Sequence, residues 1–504
     1  MPVPSELIGE RGEASPRGDA SPQPVAGLWE GLQEFAVLPG WLTAARDPQT
    51  VCRALLDRVP EFFSGQLSLE DCEIGHMRYK TEVWTGTYEL HIREPEGEVA
   101  HVVPLQGTIY PPGYPVSSPA NASGVFGADT WYIYLPEINL SLASPEPEKV
   151  LTALEMLTDP EKSRVYLASS IRRDSPSYAQ LSIRSCRPRI VRYKPGSRCT
   201  ILYHLEYDPE QPADSHWPDL VVAKTYRNDK GNNAFESMRA LWESPLGRSK
   251  AVTIAEALAY DPALRVLVQG PIQEEQTLKD LLISAMSSQS IGELELLEET
   301  MLKTAIGLAE LHRTGVPAAW SWTWDDELGD VRDRIERLAV SVPWIANSLD
   351  PLLARLKSFA DATLPDAFVP SHGSFRPAQV LVHQGRIGFI DFDSFSLSEP
   401  GLDLALFLCT VKSLGIDTSE LTGHKLAPPL EGAALSARLG QVLALSERFL
   451  ETYESILPVT RERVALWEAL QIIMLVIASW IKVKTFRIEE CFFLLEDHLR
   501  RMGV

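Results

Sequence analysis

The stretch from Pro370 to Leu408, PSHGSFRPAQVLVHQGRIGFIDFDSFSLSEPGLDLALFL, constrains the fold of this chain more than any other. Two short strands, QVLVH and RIGFID, are expected around residues 379 to 391. Spaced about them are His372, Ser374, Gln379, Asp391, Asp393 and Asp403. A strand pattern also runs from Ile183 to Tyr226, as RIVRYKPGSRC, TILYHLEYD and LVVAKTYRN, with a tight turn expected at K-P-G-S. After Glu293 the chain reads as mostly helical. A sheet first and helices afterwards predicts an α+β fold.

The 370–408 frame resembles the catalytic core of the aminoglycoside phosphotransferase and choline kinase families, which reads H-G-D-x-x-x-x-N, a strand, a turn, I-D-F/W-D/E and G-D-P-x-x-D-L-A. Here the frame is His372, Gly373, Ser374, four residues and Gln379, then Ile390 to Asp393, then Ser398-Glu399-Pro400 and Asp403-Leu404-Ala405. A lone D-x-D would be read as surface carboxylates on a hairpin, but three matches in one frame argue against that. The resemblance, which spans roughly residues 185 to 490, implies a bilobal protein-kinase-like fold. Its N-lobe is an antiparallel sheet with a helix, and its C-lobe is mostly helical. It also implies ATP and Mg²⁺ as cofactors, because a migrating phosphoryl group needs a hard cation with oxygen ligands.

By that resemblance Asp391 is the metal carboxylate, Gln379 offers its amide oxygen to the metal, and Asp393 is an auxiliary group. Asp403 and His372 support the catalytic loop. Lys224, in VVAKTY, is the lysine that touches the phosphates, and Glu236, twelve positions on, is its expected ion-pair partner ahead of Glu243. Gln269 to Pro271 fall at the inter-lobe hinge beside the adenine, and His312 closes a family helix as a packing residue. In AWSWTWDDEL, Trp320, Trp322 and Trp324 either face the acceptor or anchor a loop, with Thr323 or Asp325 capping the next helix.

Ser374 stands where the family places its catalytic aspartate. A serine hydroxyl is no base near pH 7, and general-base assistance is worth about 10²–10⁴ in rate. Phosphoryl transfer nevertheless depends mainly on positioning and electrostatics. Asp393 then becomes the candidate carboxylate to take over, alongside Ser374 as the altered catalytic position. Two functions follow: a phosphotransferase acting on an amino sugar, sugar or amino alcohol, or a pseudokinase that binds nucleotide and serves a protein partner.

Four segments are expected: a disordered tail over 1–25, rich in Pro, Ser and Gly; an extra N-terminal α+β domain over 26–165; the N-lobe over 183–270; and the C-lobe over 271–504. Inside the extra domain, MRYKTEVWTGTYEL before LQGTIY echoes VRYKPGSRCTILYHL before VVAKTY, with Thr108 in place of Lys224. Chance similarity of two hairpins and a degenerate duplication both account for the echo.

The net charge of −21 argues against a nucleic-acid partner. The longest apolar run, Ile472 to Ala478, is too short for a bilayer and reads as a buried helix, so no membrane partner is expected. Six cysteines without a C-x-x-C pair suggest neither zinc nor disulfides. With no export signal visible, the expected compartment is the cytoplasm.

Overall fold

Among the described residues, an Asp-Pro pair opens a helix twice. The computed structural model describes residues 32–503 except 34, 95–100, 146–150, 195, 209–216 and 418–431, so the tail over 1–25 and Pro195 lie outside the described residues. Helix α1 (Pro48–Arg58) is capped by Asp47, whose carboxylate accepts the Thr50 N–H. Helix α2 (Pro160–Asp174) is capped by Asp159, which accepts from Glu161 and Lys162. Proline at the first helical position gives up an N–H that would have no intrahelical partner.

After each helix comes a five-stranded antiparallel sheet. The first contains β1 (Ser68–Lys80), β2 (Val83–Arg93), β3 (His101–Ile109), β4 (Tyr132–Leu135) and β5 (Leu140–Ala143), in the order β1-β2-β3-β5-β4. The second is built from β6 (Ile183–Lys194), β7 (Arg198–Tyr207) and β8 (Leu220–Thr225). Helix α3 (Lys230–Glu243) and the short β9 (Thr253–Ile254) then lead to β10 (Ala257–Asp261) and β11 (Val266–Gln269). Its order is β6-β7-β8-β11-β10, again antiparallel throughout.

The sequence echo thus corresponds to a shared strand order and direction. Register agrees as well: Thr85 faces Thr108 in one sheet as Thr200 faces Lys224 in the other. Tyr88 and Tyr203, both fully buried, each donate their hydroxyl to a main-chain carbonyl two residues before the capping aspartate. The acceptors are Ala45 at 2.8 Å and Leu157 at 2.7 Å. The units differ after the third strand, because residues 110–131 hold no helix where the second unit has α3. Their first hairpins also turn differently. Thr81 and Glu82 both have positive φ, as a two-residue primed turn requires. The other turn places Gly196 at φ 63° and closes from Ser197 N–H to Lys194 C=O.

Helix α2, which crosses the boundary expected at residue 165, packs on the second sheet: Leu167 and Ile171 share a core with Cys186, Ile201, Tyr203 and Val221. The first sheet shares its core with the C-terminal helices instead.

Those helices begin after β12 (Gln276–Thr277) with α4 (Leu278–Ser288), α5 (Ile291–His312), α6 (Trp324–Ala339) and α7 (Trp344–Ala362). Four short strands follow: β13 (Val369–Ser371), β14 (Val380–His383), β15 (Arg386–Phe389) and β16 (Ser396–Ser398). The chain ends in α8 (Gly401–Ile416), α9 (Gly432–Glu454), α10 (Arg461–Lys482) and α11 (Thr485–Met502). Helix α10 is long and apolar enough to cross a bilayer, yet it packs against α6, α7, α8, α11 and β1. Trp84 Nε1 donates to the Trp480 carbonyl at 3.1 Å, and Trp480 Nε1 to that of Phe35 at 2.8 Å, fastening the first unit to α10. The fold is α+β: an antiparallel sheet lobe and a helical lobe, with an extra α+β unit docked on the helices.

Candidate active site

Strand β13 delivers the loop His372–Gly373–Ser374 to the first turn of α8, where Asp403 waits. The buried Asp403 carboxylate accepts the main-chain N–H of His372 at 2.6 Å and of Gly373 at 2.9 Å. His312, at the end of α5, bridges Asp403 (3.1 Å) and the Tyr453 hydroxyl (2.6 Å). Burial pushes the Asp403 carboxyl upward, but the His312 hydrogen bond and the nearby histidines outweigh it and hold the pKa below the usual range. Gly373 has φ 76°, and a Cβ there would meet the Ser394 carbonyl at 2.0 Å, so the loop lies against the following turn.

The β14–β15 hairpin fixes the next two residues. Gln379 precedes β14 and Asp391 follows β15, linked by the Ile390 N–H to the Gln379 carbonyl at 3.1 Å. Asp391 sits in the left-handed region at φ 76°, a strained conformation for a non-glycine residue. Lys224 Nζ stands 3.1 Å from Asp391 Oδ1, and Arg198 Nη1 lies 3.8 Å from Oδ2. Burial raises this carboxyl, but the two cations win and bring it to about 2. Gln379 Nε2 donates to Ser374 Oγ at 3.3 Å, while its buried Oε1 has no hydrogen-bond partner. An orphaned amide oxygen near an ionised carboxylate fits Mg²⁺, which takes few protein ligands and fills its shell with phosphate oxygens and water.

Asp393 is turned toward the N-lobe. It accepts the Tyr226 hydroxyl at 2.8 Å, and Asn233 Nδ2 donates to the Phe395 carbonyl at 3.1 Å beside it. Burial and the charge of Asp391 push the Asp393 carboxyl up. Asp393 is not among the residues lining the cavity in front of Ser374. The carboxylate expected to replace the catalytic base is held away from that cavity by Tyr226.

The cavity, of about 650 Å³, is walled by Gly373, Ser374, Trp320, Trp322, Arg376 and Gln471, among others. Thr323 caps α6 in a capping box with Asp326. Trp320 is anchored to the Phe395 carbonyl, and Trp322 Nε1 donates to Glu327 at 2.7 Å. These two tryptophans therefore fasten the loop and line the cavity, whereas Trp324 is in the core. His372 Nε2 donates to the Ile390 carbonyl at 3.0 Å, which leaves Nδ1, 3.4 Å from Ser374 Oγ, as the acceptor of a neutral ring. Burial lowers the His372 pKa and favours that neutral form.

The ion pair expected between Lys224 and Glu236 does not form. Glu236 is exposed because the buried face of α3 is taken by Ala234, Phe235, Ser237 and Met238, and Lys224 turns to Asp391 instead. Glu243 is engaged by Arg239 at 3.7 Å. At the hinge, Gln269 is buried with Oε1 unpartnered, the Gly270 N–H donates to Glu256, and Pro271 follows. Sequence reasoning passed over Arg198, Tyr226 and Asn233. The first two lie within quoted strand segments, and the third was masked by the expectation of a charged partner on the same helix.

Residues 256–445 match the model of the phosphotransferase enzyme family, APH. Among solved structures, a glucosamine kinase in complex with glucosamine, ADP and inorganic phosphate is similar at 14% identity and TM-score 0.45, over 67% of this chain and 86% of that one. A choline kinase from Cryptosporidium parvum Iowa II shows 11% identity and TM-score 0.46, over 68% of this chain and 96% of that one. The aminoglycoside phosphotransferase APH(3'')-Id from Streptomyces rimosus shows 16% identity and TM-score 0.35, over 61% and 96% respectively. Among curated proteins, none matches this chain in sequence.

Proposed function

We propose, on the match of residues 256–445 to the phosphotransferase enzyme family model, that the chain is a member of that family and transfers the γ-phosphoryl group of ATP to a hydroxyl of a small molecule. One observation carries the proposal: Lys224 and Asp391 meet across the lobes near a free Gln379 Oε1, behind a cavity that Ser374 enters. Asp391 and Gln379 would hold Mg²⁺, which neutralises the triphosphate. Lys224 and Arg198 bind phosphate oxygens, and the hinge at Gln269 to Pro271 lies beside the adenine.

In the transfer, the acceptor oxygen bonds to the γ-phosphorus and the bond to the β,γ-bridging oxygen breaks, releasing ADP. The hydroxyl proton leaves through Ser374 to Nδ1 of His372. Burial makes His372 a weak base, so this relay is slower than a carboxylate at position 374. Asp403 and His312 keep the loop in place. Such an ATP-dependent enzyme belongs in the cytoplasm.

The second function is that of a pseudokinase with a protein partner, favoured by Ser374 and by the extra unit fastened to α10. ADP formation with amino sugars, sugars, amino alcohols, sugar phosphates and sugar acids decides between them, followed by mass spectrometry of the product. The enzyme shows turnover above Asp391→Ala on at least one acceptor. Mg²⁺-dependent nucleotide binding with turnover equal to Asp391→Ala throughout establishes the pseudokinase.

A further inference from the structure

The cavity in front of Ser374 is basic, in a chain whose net charge is −21. Six cationic side chains line it: Lys230, Arg334, Arg376, Lys482, Lys484 and Arg487. Only two lining residues are acidic, and both are engaged. Glu327 accepts from Trp322 Nε1 and Gln471 Nε2, each at 2.7 Å, and Asp330 accepts from Arg334 at 2.8 Å. Arg487 reaches Ser413 at 3.2 Å and Asp417 at 3.9 Å. For Lys230, Arg376 and Lys482, no carboxylate lies within ion-pair distance among the described residues.

These cations crowd one another. Burial first, and then Arg487, Lys484, Arg376 and Arg78, lower the pKa of Lys482, and every charged neighbour in that set is positive. Arg78 comes from β1 of the extra unit, and His76 of the same strand feels the charges of Lys484 and Lys482. Lys230, Arg376 and Lys482 are open to solvent at the cavity, yet like charges gathered there still repel, and a bound anion converts the repulsion into charge-assisted hydrogen bonds. Position 374 fits the same pattern, because an aspartate there would add a negative charge to this cavity. An amine acceptor would have to compete for the two carboxylates with the protein groups already bonded to them.

Resting on the reading of this cavity as the acceptor site, we infer that the acceptor is an anion: a small hydroxylated molecule carrying a phosphate or carboxylate group. Arg376 and Lys482 receive that group, with Lys484, Arg487 and Lys230 around it. The extra unit, which has Thr108 where a phosphate-binding lysine would stand, contributes Arg78 to the field around this site.

Calorimetric titration of the full chain, saturated with MgADP, with inorganic phosphate, glucuronate and glucosamine tests the inference. Phosphate and glucuronate should bind, weaken with added salt, and lose about tenfold or more in affinity in Lys482→Glu and Arg376→Ala. Lys482→Glu should keep the MgATP melting shift of wild type, which shows that it is folded and that its nucleotide site is intact. Three outcomes overturn the inference: glucosamine binding more tightly than glucuronate, no binding of either anion, or phosphate binding that survives Lys482→Glu but is lost in Lys224→Met. Each leaves the phosphotransferase proposal standing if the MgATP shift is present. Absence of that shift in wild type defeats the phosphotransferase proposal itself.

Discussion

Lys224 Nζ and Asp391 Oδ1 stand 3.1 Å apart, joining the second sheet to the turn after β15. The Asp391 pKa lies near 2, below the ordinary carboxylate value of about 3.9. A carboxyl depressed in the folded state contributes stability that is complete above the unfolded value and fades as pH falls toward about 2. In Lys224→Met, burial loses its main counterweight and the Asp391 pKa rises. The urea midpoint of Lys224→Met should therefore lie furthest below wild type near pH 6 and approach it as pH falls from 6 to 3. A difference that does not change with pH contradicts the electrostatic origin of the contact.

In the proposed reaction, Ser374 is expected to limit the chemical step. Every other element of the loop is in place, with Asp403 on its backbone and Gln379 on the serine hydroxyl. Ser374→Asp should raise kcat by part of the about 10²–10⁴ range for general-base assistance, with little change in ATP affinity. Single-turnover rates of wild type, Ser374→Asp and Ser374→Asp with Asp391→Ala check this. The gain must disappear in the double variant. A variant slower than wild type would show a working site of another design.

The loop depends on the charge of Asp403. Asp403→Asn keeps the volume but turns one acceptor into an NH₂ group facing a buried donor, at a cost of about 1–3 kcal/mol for each group left unpaired. A fall of about 2–3 kcal/mol in urea-unfolding stability, with lower kcat, is the expected outcome. Unchanged stability would mean that the two loop N–H groups find other partners.

The stretch 370–408 was legible because its residues are neighbours in sequence, so spacing alone carries the pattern. The echo of Tyr88 and Tyr203 was visible for the same reason. What escaped depends on side-chain direction and on distant segments. Nothing in the letters shows that Glu236 lies on the exposed face of α3, or that Tyr226 turns Asp393 away from Ser374. The docking of Trp84 on Trp480 joins residues nearly four hundred positions apart. The cavity cations come from α3, α6, the catalytic loop and the α10–α11 junction, and only the last, KVKTFR over 482–487, shows several of them together in sequence.

Tyr88 and Tyr203 perform the same task in the two sheets. Tyr88→Phe and Tyr203→Phe should each cost about 1 kcal/mol, and the double variant should be close to additive, since the two lie in separate cores. Urea unfolding measures all three. A cost at Tyr203 with none at Tyr88 would show that the first sheet shares the geometry of the second without its energetic role.

Lys224, Asp391 and Gln379 form the proposed Mg²⁺-nucleotide site, and thermal melting with and without MgATP tests it most directly. A ligand at a hundred times its dissociation constant stabilises the folded state by about 2.7 kcal/mol. Wild type should melt at a clearly higher temperature in millimolar MgATP, and Asp391→Ala should hardly shift. No shift in wild type, or an equal shift in Asp391→Ala, would contradict the account.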